Sequence, residues 1–142
     1  MSTPDRKVEH LEICLSKPVE SRVSAGFEHV HLVHRCLPEM DLEDVDTRVR
    51  FLGKELSAPI IVTGMTGGHG LAEKFNAVIA EVVEELGLGM GVGSQRAALE
   101  DPSLERTFSV VRERAPTALV IANLGAPQIA SQYGVEDVER AI

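Results

Sequence analysis

Nowhere does the chain hold the ~18 consecutive apolar residues that a membrane-spanning helix needs. Its start lacks the apolar stretch of a signal peptide, because Pro4, Asp5, Arg6, Lys7 and Glu9 are polar or helix-breaking. Cysteine is scarce. Cys14 and Cys36 sit in no metal or redox spacing, which reads as two ordinary thiols in a reducing, cytoplasmic setting. Basic side chains are also in deficit, 14 against 22 acidic ones, for a formal net charge of −8. That balance argues against nucleic-acid binding, which runs on basic surface. An anionic ligand would have to be held by a few local cations.

With 142 residues, 44% of them hydrophobic, the chain has the size and apolar content of one ordinary domain. Residues 1–46 read as an irregular, charged N-terminal segment. Residues 47–58 read as a β-hairpin, with Gly53-Lys54 as its two-residue turn. Residues 59–142 repeat a strand–turn–helix unit three times. Pro59-Ile60-Ile61-Val62 is a short apolar run, the mark of a strand buried on both faces. A helix follows, carrying Leu71, Phe75, Val78, Ile79, Val82, Val83 and Leu86 and closed by Gly87. The second strand runs from Leu88 to Val92. Asp101-Pro102 then predicts the start of a helix carrying Leu104, Phe108 and Val111. The third strand is Ala118–Ala122, and a further helix begins near Asn123–Pro127 or near Val135. It is expected to be still running at Ile142.

Alternating strands and helices imply an α/β fold with a parallel sheet, either doubly wound or a barrel. In both, the C-terminal strand ends share one rim, where active sites form. The strand exits are Thr63–Gly68, Gly93–Arg96 and Asn123–Pro127, so Thr66, Ser94, Gln95, Arg96 and Asn123 are expected to converge. Neutral hydrogen-bonding groups with one cation suit a polar heteroaromatic ligand bearing a phosphate. The competing reading is that these are ordinary turn residues.

Gly87, Gly89, Gly91 and Gly93, spaced by two, leave one face of an extended segment bare. Such a face admits a bulky ligand or another backbone, or serves tight barrel packing. A dinucleotide fingerprint does not fit, because Arg96 stands where the third glycine after Gly91 and Gly93 belongs. His29, His31 and His34 could bind a metal, but no fourth ligand is evident and alternation would split their faces. Arg6, Lys7 and His10 form a small basic group. It is plain solvated charge unless the N-terminus folds over the rim as a diphosphate clamp.

Taken in order, several segments resemble type 2 isopentenyl-diphosphate isomerases. They are Arg6-Lys7-Val8-Glu9-His10, Phe27 through Glu39, Phe51-Leu52-Gly53-Lys54, Ala58 through Gly68, Gly91 through Arg96, and Ala122 through Ala126. The resemblance implies the N-terminal part of a flavin mononucleotide (FMN) (β/α)8 TIM barrel that interconverts isopentenyl and dimethylallyl diphosphate in isoprenoid biosynthesis. It implies that Arg6, Lys7, Ser94, Gln95 and Arg96 hold the isoprenoid diphosphate substrate. It likewise assigns Thr63, Gly64, Met65, Thr66, Ser94 and Asn123 to the flavin. Reduced FMN would act as acid and base, NADPH would supply electrons, and the Mg2+ ligand would lie beyond Ile142. The full-length form is expected to be a homo-oligomer. A complete barrel needs about 250 residues, so this chain is expected to be a partial domain with little or no activity of its own. Two alternatives stay open: a relative of the 2-hydroxy-acid oxidases, or a non-catalytic fragment that acts by assembly.

Overall fold

The computed structural model describes residues 3–142. The N-terminal segment is not wholly irregular. Helix α1 spans Thr3–Ser16. Val8, Leu11 and Leu15 recur at steps of three and four, and Leu11 is buried. Pro18 ends the helix, since the residue before a proline is pushed out of the helical region. Residues 17–48 then run without sheet pairing, broken only by single 3-10 turns at Phe27–His29 and Leu42–Asp44. Phe27, Leu32, Val33 and Leu37 lie exposed along this arm.

Strands β1 (Val49–Phe51) and β2 (Lys54–Leu56) form the antiparallel hairpin. Its turn is Leu52-Gly53, not the expected Gly53-Lys54, because Lys54 pairs with Phe51. Both turn residues have positive φ, 46° and 79°, as a turn matched to strand twist requires. The hairpin docks beneath the sheet. Lys54 Nζ donates to the Thr117 carbonyl at 2.9 Å, and the Ser57 N–H donates to the Gly87 carbonyl at 2.8 Å. Thr117 and Gly87 both precede strands, so the hairpin packs at the N-terminal end of the sheet, opposite the rim.

The sheet is parallel: β3 (Ile61–Val62), β4 (Gly89–Gly91) and β5 (Leu119–Ile121), side by side in chain order. No reversal of strand order occurs among these strands, so no doubly-wound switch point is present. Helix α2 (Gly70–Leu86) connects β3 to β4. Between β4 and β5 come α3 (Arg96–Glu100), a 3-10 turn at Pro102–Leu104 capped by Asp101, and α4 (Arg106–Arg114). The Asp101-Pro102 signal thus starts that turn, one step before the long helix. After β5 come α5 (Ala126–Ser131) and α6 (Val135–Arg140), so both predicted starts are used. The last helix stops two residues before Ile142 instead of running through it.

Helices α2 and α4 pack on each other and on one face of the sheet. The core between them joins Val83, Met90, Val92, Phe108 and Val111. Here the structure departs from the sequence expectation. The large apolar residues of α2, among them Leu71, Phe75, Val78, Val82 and Leu86, stay exposed, while Ala72, Ala80 and Val83 are buried. Ile61 and Val62 are only half-buried, not enclosed on both faces. The reason is topological. Among the described strands β3 and β5 are both edges, and α2 has a helical neighbour on one side only. Among the described residues, no helix is long and apolar enough to cross a membrane.

Candidate functional site

The three strand exits are joined edge to edge by their backbones. The Gly93 N–H donates to the Thr66 carbonyl, and the Gln95 N–H donates to the Asn123 carbonyl, each at 2.9 Å. The turns after β3, β4 and β5 therefore meet on one rim, as parallel strands require. The bare glycine face turns out to serve backbone approach. A Cβ at Gly93 would overlap the Thr66 carbonyl, and one at Gly64 would overlap the Val92 carbonyl. Gly89 differs, lying between the side chains of Ile61 and Leu119 as barrel packing would have it.

Above this rim lies α1. Lys7 Nζ reaches the Met65 carbonyl at 3.4 Å, and the Cys14 thiol sits 3.9 Å from the Met65 sulfur. The helix thereby brings Arg6, Lys7 and His10 to the same cavity as Ser94, Arg96 and Asn123, together with Gly125 and Gln128. The cavity measures about 290 Å3, near the ~300 Å3 lower end of ligand sites. Three cationic side chains thus share one concavity on a protein of net charge −8. Partial burial, then repulsion from Arg6 and Arg96, lowers the Lys7 pKa from its ordinary value. Arg96 is steadied by Glu100 at 3.4 Å, one helical turn on. Mutually repelling cations around a hollow are the electrostatic complement of a multivalent anion.

Not every predicted residue joins them. The Gln95 amide turns away and donates to the Ala141 carbonyl at 2.5 Å. The Thr66 hydroxyl turns inward and donates to Asn76 Oδ1 at 2.7 Å. Thr63 and Met65, with Leu11 and Cys14, line a neighbouring hollow of about 380 Å3 between α1 and α2. Sequence reading missed the polar clamp behind the first exit. Asn76, 3% exposed, donates to the Thr107 carbonyl at 2.8 Å, and Thr107 Oγ1 accepts the Gly68 N–H at 2.8 Å. A polar Asn76 amid apolar α2 positions was the available signal. Gln128 was missed as well. His29, His31 and His34 are exposed, and the described residues contain no cluster able to hold a metal ion.

A family model described as FMN-dependent dehydrogenase matches residues 16–139. The chain belongs to this family. Its three parallel strands are accordingly part of a (β/α)8 barrel that this chain leaves incomplete. This family member is also similar to longer proteins named isopentenyl-diphosphate delta-isomerase. With that of Ignicoccus hospitalis it shares 59% identity over 142 residues, covering 100% of this chain and 39% of the relative. With that of Methanosarcina barkeri it shares 55% over 142 residues, covering 99% and 39%. With that of Archaeoglobus fulgidus it shares 54% over 142 residues, covering 100% and 41%. The chain spans about two fifths of the length of these relatives.

The rim fits the flavin that the family name implies. Ser94, Asn123 and the exposed Thr63 offer neutral donors and acceptors, and Met65 offers a polarizable apolar surface. Neither the Ser94 hydroxyl nor the Asn123 amide has a side-chain hydrogen-bond partner among the described residues. Such groups suit the edge of a flat heteroaromatic ring. The cationic cavity beside them suits phosphate.

Proposed function

We propose that this chain carries the diphosphate-binding and flavin-facing rim of an enzyme interconverting isopentenyl and dimethylallyl diphosphate. It would work only within a longer polypeptide that completes the barrel. One observation carries the reading: Arg6, Lys7 and Arg96 surround a single cavity beside neutral rim groups. In it Arg6 and Lys7 hold the diphosphate from above, while Arg96 and the Ser94 hydroxyl hold it from the rim. Gln95 contributes by position, since its N–H fixes the second exit against the third. Thr63, Gly64, Met65, Thr66, Ser94 and Asn123 hold FMN, with Thr66 acting through its backbone. Reduced FMN, when bound, would supply the proton donor and acceptor for moving the double bond. NADPH as reductant, Mg2+ held by a residue outside this chain, a cytoplasmic location and homo-oligomeric assembly belong to the same proposal. The exposed apolar arm supports the assembly.

The test is a calorimetric titration of the purified chain with inorganic diphosphate. Lys7→Ala and Arg96→Ala should each weaken binding by roughly 10- to 100-fold, the loss of one hydrogen bond between charged groups. Unchanged affinity in the double variant would refute the reading. Supplied with FMN, NADPH, Mg2+ and isopentenyl diphosphate, the 142-residue chain should show no turnover. Product formation would refute the dependence on a longer polypeptide. The family description, a dehydrogenase, admits a second reading in which the substrate is a 2-hydroxy acid whose carboxylate meets Arg96. A monocarboxylate leaves two of the three cations without a role.

A further inference from the structure

One polar side chain of the cationic cavity lies outside the set that holds the diphosphate and the flavin. Gln128, in the first turn of α5, is half-buried and lines that cavity, and its amide has no hydrogen-bond partner among the described residues. Its position follows from helix geometry. Helical side chains lean toward the N-terminus, so Gln128 lies back over Gly125, whose carbonyl accepts the Gln128 N–H at 3.0 Å.

Gly125 is what makes room. Its backbone, φ −72° and ψ 132°, is open to any residue, so no conformational demand calls for glycine there. A Cβ at Gly125 would instead overlap the Gln128 amide oxygen. The missing side chain at 125 lets the amide fold down onto the rim. With its oxygen lying over Gly125, the amide has its NH2 group free to donate to a ligand.

Gln128 also stands at the far end of the row of exits. Lys7 is tied to the first exit through Met65, Ser94 and Arg96 rise from the second, and Gln128 follows the third. Adjacent strands are ~4.8 Å apart, so the first and third exits are separated by about 10 Å. A single phosphoryl group, about 8 Å from donor to donor with ~2.8 Å hydrogen bonds at each end, reaches less of that span than a diphosphate does. Two linked phosphoryl groups can engage both ends of the row at once.

Building on the diphosphate reading above, we infer that Gln128 is a specificity residue. Its amide donates to the second phosphoryl group of a diphosphate ligand, and Gly125 is small so that it can. The test titrates the purified chain with inorganic diphosphate and, separately, inorganic phosphate. Gln128→Ala should weaken diphosphate binding on the order of tenfold, one hydrogen bond to a charged acceptor. It should change phosphate binding less than twofold. Gln128→Glu keeps the shape, turns a carboxylate on the anion and should lose more. Gly125→Ala displaces the amide without removing it and should lose less. Lys7→Ala separates the two claims. If it leaves diphosphate binding intact, the cavity is not a diphosphate site and the inference falls with that reading. If Lys7→Ala weakens binding while Gln128→Glu binds diphosphate like the parent, the diphosphate reading stands and the role of Gln128 is refuted.

Discussion

Removing the Asn76 side chain should release the first strand exit from the helices behind it. Asn76 is 3% exposed and Thr107 4%, so water does not readily replace the bond between them, while the Thr66 hydroxyl is only half-buried. In Asn76→Ala the Thr66 hydroxyl loses its acceptor at 2.7 Å, and the Thr107 carbonyl loses a donor at 2.8 Å. An orphaned buried group costs about 1–3 kcal/mol. The helical carbonyl sits toward the low end because it keeps a second lone pair, and the Thr66 hydroxyl because it is half-buried, so the lost packing of the amide supplies the rest. The total is about 2–4 kcal/mol, which for a domain of this size lowers Tm by roughly 10 °C. Thermal unfolding followed by circular dichroism measures it. Asn76→Asp sharpens the test. Its charged form still accepts from Thr66 but presents a carboxylate to the Thr107 carbonyl. Burial and that carbonyl raise its folded pKa above the unfolded ~3.9. The variant should therefore be least stable at neutral pH and regain stability as pH falls through the raised pKa, where the protonated carboxyl can donate. A Tm within about 3 °C of the parent for Asn76→Ala would show that this network does not hold the rim.

Gly93→Ala should cost about 2–3 kcal/mol in urea unfolding, because its methyl meets the Thr66 carbonyl, which is backbone and cannot rotate away. Gly70→Ala, at a helix start with nothing within 4 Å, should be neutral or stabilise by about 0.5 kcal/mol. Lys7 is held below its ordinary pKa by burial and by Arg6 and Arg96, so its charge opposes folding while it persists. Without an anion, Lys7→Met should be at least as stable as the parent at pH 7. That advantage should fade as pH rises through the lowered Lys7 pKa, and thermal melts at several pH values check it. Glu84 has the opposite sign. Its carboxylate accepts from the Thr117 hydroxyl and from the Thr117 and Ala118 N–H groups, which lowers its pKa. The stability it contributes is present above its unfolded pKa and is lost as pH falls through the folded one, so Glu84→Gln should flatten the acid limb of the stability profile.

Much of the site was legible locally because it lies at strand exits. A glycine-rich break after an apolar run marks the end of a buried strand, and parallel order then forces Thr66, Ser94 and Asn123 onto one side. Without the family resemblance, the Arg6-Lys7-His10 group was visible only as charge that a folded-over N-terminus could bring to the rim. Nothing local distinguishes a helix lying over the rim from one in solvent. Asn76 itself stood out as a polar residue on an apolar helix, but its partners and the space at Gly125 were hidden for the same reason. Each depends on a neighbour 3 to 31 residues away whose direction the sequence does not carry.

Apolar runs, glycine breaks and helix periods by themselves determined the order of the elements and the rim on which polar turns gather. Those features follow from backbone hydrogen bonding and burial, which act over a few residues. Tertiary structure alone decided which side chains face the cavity. Gln95 turned toward α6 and Thr66 toward α2, while α1 came down over the exits to gather three cations in one hollow. Such choices rest on packing and on charges brought together from distant segments, and no local pattern encodes either.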